Sequence, residues 1–182
     1  MAKLTIRRAE LSDVPLLQDW DQRAHVIAAT TDNPDCPEDW DWPNELAPRD
    51  DGVEFYIAAL DNKPIGMLCI IDPQTERSHY WSQIGPNLRA LDIWIGEEAY
   101  LGQGWGSAMM EWALRECFAT PSVEAVLIDP LASNTRAHRF YERFGFVFVE
   151  QRQFDENSNC FVYRLTRETF SAIDVMLFQD DI

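Results

Sequence analysis

Three glycines at alternate positions stand in the stretch Leu101-Gly102-Gln103-Gly104-Trp105-Gly106-Ser107. The stretch follows a strongly apolar run, Leu88 to Ile95. It leads into Gly104 to Ala119, where Met109, Trp112, Ala113 and Glu116 recur at spacings of three and four. That order predicts a strand, a glycine loop and a helix. Glycines let the backbone pass close to a large anion and aim several N–H groups at it, while the helix N-terminus adds its positive dipole end. A pyrophosphate is the natural occupant. The tract is not G-x-x-x-x-G-K-[ST], and no ribose-binding acidic residue follows in a Rossmann pattern. Taken alone, it also suits an ordinary glycine-rich turn.

The rest of the chain frames this loop. Lys3 to Arg8 reads as a first strand with Leu4 and Ile6 on one face. Ser12 is the expected N-cap of a helix that reaches Gln22, with Pro15 in its first turn. Thr30 to Gly52 is rich in Pro, Asp and Trp and has no clean period, so it predicts a long loop with short helical pieces. Val53 to Leu60 and Ile65 to Ile71 flank Asp61-Asn62-Lys63-Pro64, a hairpin signal. Val123 to Ile128 predicts a strand, Thr135 to Phe144 a helix, and Phe146 to Glu150 and Cys160 to Leu165 two further strands. Phe170, Ile173 and Leu177 have the spacing of a terminal amphipathic helix. Strands alternate with helices only in the second half. The expected fold class is therefore α/β (α+β), with a mixed sheet. With no internal repeat or linker in 182 residues, residues 1–182 read as a single domain.

Composition excludes several function classes. Apolar residues make up 46% of the chain, enough for burial to drive folding without staples. Cys36, Cys69, Cys117 and Cys160 are scattered, so neither a disulfide framework nor a zinc site is expected, and Cys69 and Cys117 read as core. No apolar run is long enough to span a bilayer and the first residues lack a signal-peptide core, which predicts a cytoplasmic protein without a membrane partner. A net charge of −16 argues against a nucleic-acid surface. Nine carboxylates and one basic residue, Arg49, lie between Asp32 and Glu54, interleaved with Trp40 and Trp42. Carboxylates beside tryptophans suit a cationic substrate through ion pairs and cation–π contact; a solvated acidic loop is the bland alternative. His25, His79 and His138 share no ligand spacing, so no metal is expected, and His138 is placed facing solvent or a ligand rim. No serine sits in a nucleophile elbow.

A second stretch carries chemistry: Asp129-Pro130-Leu131-Ala132-Ser133-Asn134-Thr135-Arg136-Ala137, then Arg139-Phe140-Tyr141-Glu142-Arg143-Phe144-Gly145-Phe146. A strand ends at Asp-Pro, a polar turn offers Asn134, and a short helix carries Tyr141 before a glycine stop. Together the two stretches resemble the GNAT superfamily of N-acetyltransferases, over essentially the whole chain and most strongly from Arg89 to Phe146. The resemblance implies a mostly antiparallel central sheet of about six to seven strands flanked by helices, with a splayed pair of strands holding coenzyme A. It implies acetyl-CoA as co-substrate, with the pyrophosphate on the main chain of Gly102, Gln103, Gly104, Trp105, Gly106 and Ser107. It further implies a bulged strand, with Ile93, Trp94 and Ile95 pairing with the pantetheine arm. Asn134 and Ala137 fall beside that arm, and Tyr141 near the thioester sulfur. The family usually has Gln or Arg where Leu101 stands; contacts there are mostly main-chain, so the cradle is expected to weaken rather than fail.

The runs Tyr56-Ile57-Ala58-Ala59-Leu60, Pro64-Ile65-Gly66, Arg89-Ala90-Leu91-Asp92 and Ser133-Asn134 are similar to the aminoglycoside 6′-N-acetyltransferase branch. Siderophore-type hydroxylysine acetyltransferases are close relatives. In that branch the carboxylate matching Asp92 sits beside the reacting amine, and the one matching Asp129 helps to hold the substrate. The branch carries an acidic cluster just before the strand, where this chain reads Arg77-Ser78-His79-Tyr80-Trp81-Ser82-Gln83, without carboxylates. The resemblance implies an acyltransferase acting by direct transfer. Asp92 accepts the amine proton or orients the ammonium, a main-chain N–H near Ile93 to Ile95 polarises the carbonyl, and Tyr141 protonates the thiolate. Trp40, Trp42, Asp92 and Asp129 are the expected acceptor contacts, on a monomer or homodimer. Three classes of activity stay open: a small-molecule amine acetyltransferase, a protein or peptide N-acetyltransferase, and a non-catalytic acyl-CoA sensor.

Overall fold

The computed structural model describes residues 2–35, 39–82 and 84–177. Cys36, Gln83 and the side chain of Leu177 lie outside the described residues. Seven strands, β1 (Leu4–Arg8), β2 (Val53–Leu60), β3 (Lys63–Ile71), β4 (Leu88–Ile95), β5 (Ala125–Ile128), β6 (Val147–Gln153) and β7 (Asn159–Thr166), form one sheet in the order β1-β2-β3-β4-β5-β7-β6. Only the β4–β5 pair is parallel. Among the described residues six α-helices flank the sheet: α1 (Val14–Asp21), α2 (Ala24–Thr30), α3 (Trp42–Glu45), α4 (Trp105–Ala119), α5 (Thr135–Glu142) and α6 (Arg167–Leu177).

Alternation along the central strands sorts the core to two faces. On one face α4 buries Met109, Met110, Ala113, Leu114, Cys117 and Phe118 against residues that include Leu68, Ile70 and Leu91. On the other, Leu17, Trp20 and Trp42 pack on Phe55, Ile57, Met67 and Cys69. Cys69 and Cys117 are thus core residues, as their apolar surroundings predict.

The hairpin turn is tighter than its sequence signal. Asp61 and Asn62 both have positive φ, 47° and 68°, the conformation of a two-residue turn that matches strand twist. Lys63 and Pro64 therefore belong to β3, and a register shift between Ala58 and Ala59 accommodates the proline, which has no N–H to donate. Ser12 does not cap α1. It lies in a 3₁₀ turn, Leu11–Asp13, which Glu10 and Asp13 close reciprocally while Arg7 holds the Asp13 carboxylate at 2.7 Å.

β4 is the strand that matters for function. It pairs with β5 only from Leu88↔Ala125 to Ala90↔Leu127. Beyond Ala90 it continues to Ile95 on β3 alone, in unbroken register from Ile71↔Ala90 to Gly66↔Ile95. The splayed strand pair is present, but the expected bulge is not what opens it. The strands part because β5 runs on into Asp129-Pro130 and stays with β7: Ile128 pairs with Tyr163, and the Phe161 N–H donates to the Pro130 carbonyl at 2.9 Å. The Gly96 N–H donates to the Ile65 carbonyl, so Ile95↔Gly66 is a pair without mutual hydrogen bonds. Alternation then turns the main-chain groups of Ile93 and Ile95 toward the gap and those of Asp92 and Trp94 toward β3.

Candidate active site

The parting of β4 from β5 lies at the wall of a cavity of about 700 Å³, a volume in the range of small-molecule sites. The structure brings Asp92, Ile93, Trp94, Asp129, Asn134, Ala137, Tyr141 and Trp40 to that one cavity. Asp92, Trp94 and Cys69 sit on the face of the sheet that also carries Phe55. Tyr141, on α5, is 9% exposed. Burial, reinforced by Asp92 and Asp129, raises its phenol pKa, so the hydroxyl keeps its proton. Asp129 follows β5. Burial pushes its carboxyl up to about 6, although the Tyr80 hydroxyl donates to Oδ2 at 2.6 Å and Arg152 lies near, both opposing the rise.

Asn134 is the N-cap of α5. Its Oδ1 accepts the Ala137 N–H at 3.1 Å, which leaves the amide N–H₂ as the group that can donate elsewhere. The cap thus explains both the start of the helix and a polar group at the cavity wall.

The glycine loop lies outside the cavity wall, at the protein surface. Gly102 and Gly104 have φ of 72° and 87°, and a Cβ at either would meet nothing within 4 Å. Their open side is where an anion can approach the backbone. Gly104 is the N-cap of α4 and its carbonyl takes the Ser107 and Ala108 N–H groups. The N–H groups of Trp105 and Gly106 have no residue one turn back to bond. Gln103 offers main chain only, since its side chain folds back to the Ala99 carbonyl.

Four expectations need correction. Trp42 is fully buried, stacked under Trp40 at 5.2 Å and edge-on to Phe55, with its indole N–H on Asp21; it is core and cannot touch an acceptor. Trp40, half-buried, does line the cavity. Ile95 is buried in the core, and its carbonyl is taken by His25 Nε2 at 2.9 Å, so of the two gap-facing residues Ile93 is the open one. His138 does not face solvent: it is 8% exposed, bonded to the Leu131 carbonyl and stacked on Phe161. The acidic segment is not one cation-binding surface either. Asp32 accepts from Ser133 and Asp41 caps α3, and of its described carboxylates only Glu45 and Asp51 reach the cavity.

Sequence reasoning missed the wall opposite the sheet. Asp51 is buried between Arg49 and Arg77, at 3.1 and 3.0 Å, and Arg49 also pairs with Glu45. Glu76 lines the cavity at 5% exposure, and Tyr80 stacks on Phe154 at 4.1 Å. The carboxylates of this wall are Glu76, one residue before Arg77, and Asp51, from the loop before β2. No periodicity marks them; the one available signal was the Asp72-Pro73 turn, where the Glu76 N–H bonds the Asp72 carbonyl.

Residues 10–154 match the family model described as the acetyltransferase (GNAT) domain. The chain belongs to this GNAT acetyltransferase family. It is therefore an acyltransferase, built on the family's mixed sheet. The chain is 29% identical over 150 residues to an aminoglycoside N(6′)-acetyltransferase type 1 of Klebsiella pneumoniae, covering 79% of this chain and 73% of that protein. A kanamycin resistance protein of Rhizobium radiobacter is 33% identical over 72 residues, 39% of this chain and 67% of that one. Among solved structures, the aminoglycoside acetyltransferase AAC(6′)-Ib in complex with coenzyme A and kanamycin superposes with a TM-score of 0.79 at 24% identity, covering 93% of this chain and 98% of that one. An aminoglycoside N(6′)-acetyltransferase of Legionella pneumophila gives 0.70 at 17% identity, with 95% and 97% coverage. At these identities the superpositions speak for the fold.

Proposed function

We propose that this chain, as one domain over residues 1–182, transfers an acetyl group from acetyl-CoA directly to a primary amine of a small cationic acceptor, aminoglycoside-like or polyamine-like. The observation that carries this is the convergence of Asp92 and Tyr141 on one cavity at the point where β4 loses its neighbour. The residues fit coenzyme A: an open glycine turn at a helix N-terminus for the pyrophosphate, the gap-facing main chain of Ile93 and the free amide of Asn134 for the arm. Acetyl-CoA brings the activated acyl group and the thiol leaving group. The protein does the rest. Asp92 holds the acceptor ammonium and takes up its proton, directly or through water, so that the nitrogen lone pair is free. The Ile93 N–H, unpaired on the gap side, donates to the developing oxyanion. Tyr141 delivers its retained phenolic proton to the departing sulfur and is reprotonated by the second proton that the nitrogen sheds after attack, directly or through water. Asp129, Asp92 and the face of Trp40 hold the cation.

A cavity of about 700 Å³ walled by Trp40, Arg77, Ser78, Tyr80 and Trp81 favours a small acceptor over a basic protein tail. We further propose a cytoplasmic enzyme, a monomer or homodimer; among the described residues no helix is long and apolar enough to cross a membrane. Thiol release from acetyl-CoA in the presence of polyamines, aminoglycosides, hydroxylysine and basic peptides tests this. We expect release with multiply charged small amines. Saturable acetyl-CoA binding with no release above hydrolysis for any amine would make the chain a sensor, and strongest release with peptides would put the acceptor class wrong.

A further inference from the structure

We propose that Glu76 receives a second ammonium of the acceptor, so that the site selects compounds with two amines over those with one. The inference rests on the acetyl-transfer reading above and deepens it. Each other carboxylate of the wall opposite the sheet already has a partner. Arg49 holds Glu45, Arg49 and Arg77 hold Asp51, and Tyr80 donates to Asp129. Glu76 is different. Its Oε2 accepts from the Ser78 N–H at 2.7 Å and the Ser78 hydroxyl at 2.6 Å, while its Oε1 is buried with no hydrogen-bond partner. A buried carboxylate oxygen without a donor is costly, and native proteins keep one where a ligand supplies the donor. The residue is 5% exposed and lines the acceptor cavity. An ammonium brings both the charge and the N–H donors that Oε1 lacks.

The register gives the spacing. Asp92 pairs with Cys69, and the Glu76 N–H bonds the Asp72 carbonyl, three residues further along the chain from Cys69. Three residues of strand span about 10 Å. The strand backbone at Asp92 and the turn that carries Glu76 are thus about 10 Å apart, and Val53, Ile71 and Trp40 line the same cavity, where they can cover the linking atoms of a diamine.

Calorimetry with 1,8-diaminooctane and n-octylamine in the presence of coenzyme A tests this on parent and Glu76→Gln, a near-isosteric change that keeps the acceptor toward Ser78. We expect the parent to bind the diamine about tenfold or more tighter than the monoamine, about 1.4 kcal/mol. In E76Q that ratio should fall to about twofold, the statistical advantage of two equivalent ends. A parent that binds both amines alike, or an E76Q protein that keeps the parent's ratio, overturns the assignment. If E76Q melts below the assay temperature, the parent's own ratio decides. Thiol release measured alongside separates the two readings: binding selectivity with no release to either amine breaks the transferase proposal, and release without selectivity breaks only the role of Glu76.

Discussion

The two walls of the cavity are built by different physics. On one side Phe55, Cys69, Asp92 and Trp94 project from β2, β3 and β4, where the β3–β4 ladder is unbroken and the β2–β3 ladder is in register from Val53 to Ala58. On the other, Glu76 to Trp81 runs outside regular structure, with His79 at φ 51° and Ser82 beyond it at φ 58°. That wall is held by side chains: Ser78 on Glu76, Arg77 on Asp51, Tyr80 on Asp129 and over Phe154. A ladder sets Asp92 and the Ile93 main chain to within a fraction of an ångström, as bond-making chemistry requires. A wall tied by side chains can change its charges without disturbing the sheet, so it is where acceptor choice belongs.

This comparison breaks most visibly at Asp92. On the sheet wall, Asp92→Asn should lower kcat by about 10²–10⁴-fold at neutral pH, the range for a lost acid–base group. On the other wall, Tyr80→Phe should move mainly the acceptor KM, by about tenfold, the lower end of what one hydrogen bond to a charged group is worth. Steady-state kinetics on both variants checks the pair. An Asp92→Asn protein as fast as its parent would leave that carboxylate without a chemical role, and a kcat collapse in Tyr80→Phe would erase the distinction between the walls.

Trp40 and Trp42 carry the same contrast into stability. Trp42→Ala empties a fully buried site and should cost about 3–5 kcal/mol in denaturant unfolding. Trp40 is half-buried on its outer side, so Trp40→Ala should cost about 1–2 kcal/mol, nearer the typical value for single substitutions, while raising the acceptor KM. Equal losses of stability would mean that Trp40 is as much a core residue as its neighbour.

The same division decides what was legible in the sequence. Leu88 to Ile95 is visible as one apolar run and is β4 to the residue. The glycine tract, α4 and the Asn134–Tyr141 turn-helix announce themselves through spacing, because local backbone chemistry makes them. The helix α2 was not visible: Val26 is its one buried residue, and its His25 is tied to Ile95 seventy positions away. Trp40 and Trp42 alternate in a segment with no period, so nothing local says which of the two goes inside. The opposite wall rests on contacts between residues 26 and 49 positions apart, Arg77 with Asp51 and Tyr80 with Asp129. Charge counting over Asp32 to Glu54 saw the carboxylates and Arg49 but neither their pairing nor Arg77, which joins them from outside the segment.

Asp129 joins the two walls, since it extends β5 and accepts from Tyr80, and its titration gives the smallest and most specific effect. Its folded-state pKa, about 6, lies above the ordinary carboxylate value of 3.8. The charged form is therefore disfavoured by the fold. This cost is absent below the ordinary value, builds as pH rises from about 4 to 6 and is complete above that. Asp129→Asn removes the buried charge and still accepts from Tyr80. It should raise Tm relative to the parent at pH 8 by more than at pH 4. The same charge serves the acceptor, so the parent's acceptor KM should climb as pH falls through 6 while that of Asp129→Asn, already high, stays flatter over that interval. Thermal melts from pH 4 to 8 and KM profiles from pH 5 to 8 check both. A Tm difference that does not change with pH, or a KM for the variant as steep as the parent's, would mean that Asp129 is a structural partner of Tyr80 and takes no part in holding the cation.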